Sequence, residues 1–187
     1  MLNSLFIIDN VLDNPEEIVD FAKQQQFYEL DTHPTEKNAY WSGLRTECMS
    51  NSDMYLFSDT VNKILDKVSI QSFGKRIKYS FEWNGNATFH ILDQSQIFNK
   101  NWFHVDASAY AGVIYLNKNP QSNSGTIITH DGNEQIVDNV FNRLVLYRSD
   151  QRHAPQSGFG SYDDINSSRL TLNLFFRKIK IQAEYKI

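Results

Sequence analysis

The sequence predicts a mainly β fold with flanking helices, built on a jelly roll or sandwich. Three observations predict it. Arg169 to Phe176 alternates cleanly, with Arg169, Thr171 and Asn173 on one face and Leu170, Leu172, Leu174 and Phe176 on the other. From Lys78 onward, short apolar runs are broken by Asn, Gly and Ser turns. The 187 residues are 41% apolar and include 13 Phe and 9 Tyr, enough bulky side chain to bury one sizeable core.

One domain is expected over 1–187, with about 1–77 as a layer of helices and loop and about 78–180 as the β core. Leu5 to Asp9 reads as a short strand. Asn14-Pro15-Glu16-Glu17 is a helix start, with Asn14 as cap, Pro15 as first helical residue and Glu17 three after the cap. Ile18, Phe21 and Ala22 give that helix an apolar stripe, and it should run to about Gln25 or Gln26. A second helix is expected from about Ser52 to Val68, with Leu56, Val61, Ile64, Leu65 and Val68 inward. Between them a polar, aromatic loop from about Asp31 to Ser50 holds Tyr40, Trp41, Arg45 and Glu47. Loops of that length are often functional, and Arg45 is its candidate for touching substrate at a pocket mouth. The expected strands are about Lys78–Trp83, Ala87–Leu92, Trp102–Asp106, Gly112–Leu116, Gly125–Thr129, Asn142–Tyr147 and Arg169–Lys178.

Composition excludes some functions. A net charge of −4 gives no electrostatic support for nucleic-acid binding. Cys48 stands alone, so no internal disulfide forms; a reducing cytoplasm is the expected setting and a neutral thiol the expected state. Met1 to Leu12 lacks a basic start and Asp9 interrupts Leu5 to Ile8, so no signal peptide is expected. No apolar run is long enough to cross a membrane as a helix.

The chemistry gathers in His104-Val105-Asp106. In an extended chain His104 and Asp106 point the same way while Val105 points away. His153, arriving from a distant strand or loop, would complete one triangular face of an octahedron. Two histidines and one carboxylate on one face leave three adjacent positions open, the arrangement of non-heme Fe(II) oxygenases. Arg169, inward on a strand beside Thr171, suits a bidentate grip on a carboxylate. His130-Asp131 is a second metal-capable pair, but it precedes the turn at Asp131-Gly132 and is expected to cap a hairpin. His90 is expected to support the pocket and His33 to be solvated. Arg143, Arg148, Arg152, Arg177 and Lys178 read as charges on strand rims.

From about Asn86 to Phe176 the chain resembles the Fe(II)- and 2-oxoglutarate-dependent dioxygenases, most nearly their prolyl-hydroxylase-like branch. The residues that carry the resemblance are His104-Val105-Asp106, Tyr115-Leu116-Asn117, Ser124-Gly125-Thr126, the run Phe141 to Tyr147 leading to His153, and Arg169-Leu170-Thr171. Two features depart from the family pattern. His153 and Arg169 are more widely separated than usual, across Gly158 to Asp164, and Ser124 stands where a second glycine is common. The resemblance implies a double-stranded β-helix core with the N-terminal helices on one outer face. It implies Fe(II) held by His104, Asp106 and His153, 2-oxoglutarate held by Arg169, Tyr115 and Thr171, and O2 as the second co-substrate. The implied reaction hydroxylates a C–H bond of a peptidyl proline, an amino acid or a small metabolite, with release of succinate and CO2. The presence of Asp106 favours hydroxylation over halogenation. The alternative is a non-catalytic, cupin-like jelly-roll binding module.

Overall fold

An alternating strand must bury its leucine face, and in this protein two helices cover it. The computed structural model describes residues 2–36, 41–49, 55–74 and 78–184. In chain order the elements are β1 (Leu5–Ile8), α1 (Pro15–Lys23), β2 (Phe27–Tyr28), β3 (Leu44–Thr46), α2 (Tyr55–Phe73), β4 (Lys78–Leu92), β5 (Tyr110–Tyr115), β6 (Thr126–His130), β7 (Asn133–Val137), β8 (Leu144–Arg148), β9 (His153–Pro155) and β10 (Arg169–Glu184). The large sheet runs β1-β8-β5-β10-β4-β3-β2 and the small one β7-β6-β9. All their pairings are antiparallel, so the two sheets make a β-sandwich of jelly-roll type.

The outer face of the large sheet carries Leu170, Leu172, Leu174 and Phe176. They pack with Phe89 and Ile91 of β4 and with Ala22 of α1 and Val61, Ile64, Leu65 and Val68 of α2. The inner face carries Arg169, Thr171 and Asn173 of β10. Tyr115 and Val113 of β5 lie opposite Thr171 and Asn173, and His90 of β4 flanks Thr171 on the other side. Ile128 and Val137 of the small sheet close over Val145, Tyr147 and Tyr115, forming a second, smaller core. Polar chemistry is thereby confined to the space between the sheets.

Several elements differ from the sequence expectation. Lys78 to Leu92 is one long strand, because β10 continues to Glu184 and pairs along its whole length. The register shifts between Phe176 and Lys178, a bulge that restores the apolar alternation at Ile179 and Ile181. Residues 102–106 form no strand: Lys100–Trp102 is a 3₁₀ turn, and His104 makes an isolated bridge to His153. The stretch 31–50 is not a free loop, since Leu44–Thr46 joins the large sheet as β3 and places Arg45 beside His90. Tyr40 and Ser50 lie outside the described residues, as do Ser52 and the side chain of Leu56. Helix α2 runs on to Phe73. Helix α1 ends at Lys23, and the Asn14 side chain makes no capping hydrogen bond. Strand β7 pairs with β6 and was not anticipated, because its run Asn133 to Ile136 is exposed on both faces and carries no apolar alternation. His33 is fully buried rather than solvated: Nε2 donates to the Thr46 carbonyl, and Nδ1 accepts from the Thr35 and Glu36 amides. Among the described residues no helix is long and apolar enough to cross a membrane.

Asn142 ties the N-terminal segment to the core. Its Oδ1 accepts from the Leu12 amide at 2.8 Å, its Nδ2 donates to the Leu12 carbonyl at 2.9 Å, and its φ is 61°. Asn142→Ala is therefore expected to lower the unfolding free energy by about 2–4 kcal/mol in a urea titration. Asn142→Gly should cost less, because glycine adopts positive φ without strain. Equal losses would remove backbone conformation from the explanation.

Candidate functional site

Two backbone hydrogen bonds assemble the site. The His104 amide donates to the His153 carbonyl at 3.0 Å, and the His153 amide donates to the His104 carbonyl at 2.9 Å. This bridge sets the two rings side by side, with centroids 4.3 Å apart. The Asp106 amide donates to the Ser149 carbonyl at 3.0 Å, which turns the carboxylate back toward the rings. Asp106 Oδ1 lies 3.7 Å from His104 Nε2, and Oδ2 lies 3.3 Å from His153 Nε2. One donor atom from each residue falls within 4.8 Å of the others. The expected convergence of His104, Asp106 and His153 is thus present, although a bridge rather than a strand produces it.

The hydrogen bonds behind the rings decide their tautomers. His104 Nδ1 is 2.7 Å from the Trp102 carbonyl, and His153 Nδ1 is 3.0 Å from the Gln151 carbonyl. A carbonyl only accepts, so each Nδ1 carries the proton and each Nε2 presents a lone pair to the common point. Burial lowers the pKa of His104, and the neighbouring His153 lowers it further. Burial pushes the Asp106 carboxyl up, but His153, His104 and Arg45 together hold it below its ordinary value. Asp106 Oδ2 is buried, and its one polar contact is His153 Nε2 at 3.3 Å, outside hydrogen-bond geometry. A buried carboxylate oxygen with no well-formed hydrogen bond, facing two imidazole nitrogens, fits a divalent cation.

The donors line a cavity between the sheets of about 670 Å³, open mouth included. Arg169 lines the same cavity and is 2% exposed. Its Nε donates to the Ser124 carbonyl at 2.5 Å and one Nη to the Gly125 carbonyl at 3.0 Å. Gly125 is needed there: a Cβ would lie 2.0 Å from the Val137 carbonyl oxygen. No carboxylate lies within ion-pair distance of Arg169 among the described residues. Burial lowers its pKa, yet a guanidinium stays charged. A buried cation aimed into a cavity with only carbonyls for partners is half of an ion pair.

The structure places Tyr115 and Thr171 behind the cavity wall rather than on it. The Tyr115 hydroxyl donates to Thr126 Oγ1 at 2.7 Å, and its ring lies 5.7 Å from the Arg169 guanidinium carbon. The Thr171 hydroxyl donates to Asn173 Oδ1 at 3.0 Å. Thr126 and Asn173 line the cavity themselves. Tyr147 was not singled out from sequence; it lines the cavity, its ring sits 4.6 Å from that of His153, and its hydroxyl has no partner among the described residues. Its parity with Val145 on β8, opposite Val113 and Ala111, is the signal that would have found it. His90 lines the cavity with Nε2 2.6 Å from the Ser42 carbonyl, in a supporting position. His130 sits at the β6–β7 turn against Asp131 and Gln151, apart from the triad. Burial and Glu36 push the Cys48 thiol up to about 12, which keeps it neutral.

No family model matches the chain, and no curated protein sequence matches it. Solved structures do. A prolyl-4-hydroxylase of Pseudomonas putida is similar over 94% of this chain and 92% of its own, at 15% identity and a TM-score of 0.59. A prolyl hydroxylase of Trichoplax adhaerens, solved with a hypoxia inducible factor peptide, is similar over 93% and 83% (14% identity, TM-score 0.58). HygX of Streptomyces hygroscopicus, solved with nickel and 2-oxoglutarate bound, is similar over 94% and 83% (9% identity, TM-score 0.54). At these identities the likeness establishes a shared fold.

Two outcomes are expected from this geometry. In calorimetric titration with Ni(II), His153→Ala should weaken binding at least about 100-fold, while His130→Ala should stay within about twofold. Equal losses would move the site. Burial also holds the pKa of His90 well below the ordinary imidazole value, as it lowers that of His104. Below that ordinary value the unfolded chain takes up protons that the folded chain refuses, so stability falls as pH drops from about 6.5 toward the folded-state values. Metal-free protein should therefore be less stable to urea at pH 5 than at pH 7.5. His90→Gln should flatten that slope.

Proposed function

We propose that this chain, 1–187, is a single-domain Fe(II)- and 2-oxoglutarate-dependent dioxygenase. It hydroxylates a C–H bond of a peptidyl proline, an amino acid or a small metabolite in a reducing cytoplasm. The observation that carries the proposal is Arg169, a buried guanidinium without a carboxylate, in the same cavity as three convergent donors. A binding module gains nothing from that pairing, whereas a co-substrate with an oxo-acid end and a distal carboxylate uses both.

His104 and His153 would offer Nε2 to the ferrous ion, each ring locked by its backbone carbonyl, and Asp106 would offer its carboxylate. When bound, iron with 2-oxoglutarate and O2 supplies the oxidising chemistry, converting the co-substrate to succinate and CO2. Arg169 would hold the distal carboxylate. Thr126 accepts from Tyr115, so its own proton is free to donate to that carboxylate. Tyr115 then acts by orienting Thr126, and Thr171 by orienting Asn173, which lines the cavity. Tyr147 would add a hydroxyl donor, kept protonated by burial and by the charge of Asp106. Trp41, Trp102 and Phe175 wall the cavity with apolar surface that excludes bulk water.

Anaerobic addition of Fe(II) and 2-oxoglutarate is expected to produce a visible charge-transfer band that either component alone lacks. Arg169→Lys should raise the 2-oxoglutarate concentration for half-formation of that band at least about 30-fold. Admission of air should then consume 2-oxoglutarate and release succinate. A protein that binds iron without the band, and releases no succinate with any peptide or metabolite supplied, would be a binding module.

A further inference from the structure

The described residues leave few buried side-chain polar atoms without a partner, and most of them face one region. Trp41 Nε1, Arg45 Nε, Glu36 Oε2, Asn86 Oδ1 and Thr88 Oγ1 join Asp106 Oδ2 in lacking any hydrogen bond. Asn86, Thr88 and His90 succeed one another on the inner face of β4, and Arg45 on β3 lies opposite His90. Buried polar groups are ordinarily satisfied, each orphan costing about 1–3 kcal/mol. Trp41 borders the cavity of His104 and His153, Glu36 and Asn86 border a depression beside it, and Arg45 and Asp106 border both, so these donors and acceptors surround one continuous space suited to a polar ligand.

The wall continues into a groove. Arg45, Asp106 and Phe175 line both the metal cavity and a second depression that reaches Glu36, Asn86 and Arg177. Arg45 sits 5.1 Å over the Trp41 ring, and its nearest carboxylate contact is Glu36 Oε2 at 3.6 Å, beyond hydrogen-bond length for a charged pair. Glu36 Oε1 accepts from the Cys48 thiol at 3.2 Å, so Oε2 is the atom that faces Arg45. Arg45 and Glu36 therefore form a long ion pair in which Arg45 Nε and Glu36 Oε2 still lack a hydrogen bond.

We infer that this groove binds the carboxylate and ammonium of a free α-amino acid, the substrate that the oxygenase would hydroxylate. The carboxylate takes Arg45, with the exposed Arg177 drawing it in. The ammonium takes Glu36 Oε2 and Asn86 Oδ1. Trp41 and Phe175 leave apolar room for the side chain, which would approach the Asp106 edge of the metal set. A simple acid would leave the two acceptors empty, and a simple amine would leave Arg45 empty. A peptide segment lacks both charges on one carbon.

The identity of the bound molecule as a substrate rests on the oxygenase proposal, but its binding does not, and the test separates them. The proteinogenic L-amino acids are titrated calorimetrically into metal-free protein and into protein holding Fe(II) and 2-oxoglutarate without air. At least one should bind at least about tenfold tighter than its decarboxylated amine, its des-amino acid and its N-acetyl amide. Glu36→Gln and Arg45→Lys should each weaken it by at least about tenfold, the first by losing the charge that holds the ammonium and the second by losing the planar fork. The unmodified protein with its analogue series decides the matter should either variant fold poorly. A normal charge-transfer band with no amino acid bound overturns the amino-acid site and leaves the oxygenase standing. Equal binding of the N-acetyl amide also overturns it, in favour of a peptide. Selective amino-acid binding without a band upholds the site and sinks the oxygenase.

Discussion

The site depends on one pair of backbone hydrogen bonds. The His104–His153 bridge joins the segment before β5 to the start of β9 and sets the two imidazoles against each other. Strand β9 is held in turn by β6, with Ile128 opposite His153, so the small sheet positions His153 and through it His104, while the Ser149 carbonyl just after β8 positions Asp106. Each ring is then locked by the carbonyl two residues before it. Geometry and protonation state thus come from backbone groups, which side-chain mutation elsewhere leaves intact. Two lone pairs and an orphaned carboxylate oxygen meet at a place where burial would otherwise be costly.

Arg169 obeys the same logic from the other side. Its strand must sit in the middle of the large sheet, because Leu170, Leu172 and Leu174 require the helices on the outer face. Alternation then drives the guanidinium inward, where Ser124 and Gly125 carbonyls take two of its protons. The chain can pass so close to β7 there because residue 125 lacks a Cβ that would strike the Val137 carbonyl. The Ser-Gly-Thr turn, the arginine strand and the two-histidine bridge are therefore parts of one construction. The leucine face and the arginine face are a single alternating strand read from opposite sides.

Much of this was legible in the sequence. The Arg169–Phe176 alternation announced both core and pocket, and the His104-Val105-Asp106 spacing announced two donors on one side. What escaped notice has physical causes. A bulge at Arg177 shifts the alternation by one residue, so β10 looked to end where it only changes face. Trp102 to Asp106 has strand-like composition, but a 3₁₀ turn and an isolated bridge take its place, because β9 is too short to offer a longer partner. His33 looked solvated among polar neighbours, although backbone amides and a carbonyl satisfy both its nitrogens and let it be buried. Arg45 reached the pocket through a three-residue strand that no apolar pattern marks. Tyr115 and Thr171 lie on the expected face, one layer behind the residues that form the wall, a distinction that only side-chain packing reveals.

The central claim is that His104, Asp106 and His153 hold one ion in the cavity that Arg169 faces. Anomalous diffraction at the iron absorption edge, on crystals grown anaerobically with Fe(II) and 2-oxoglutarate, tests it most directly. A single peak bonded to the two Nε2 atoms and the Asp106 carboxylate is expected, with density for the co-substrate reaching the Arg169 guanidinium. A peak at His130 and Asp131, or a cavity that stays without iron at saturating metal, would contradict it.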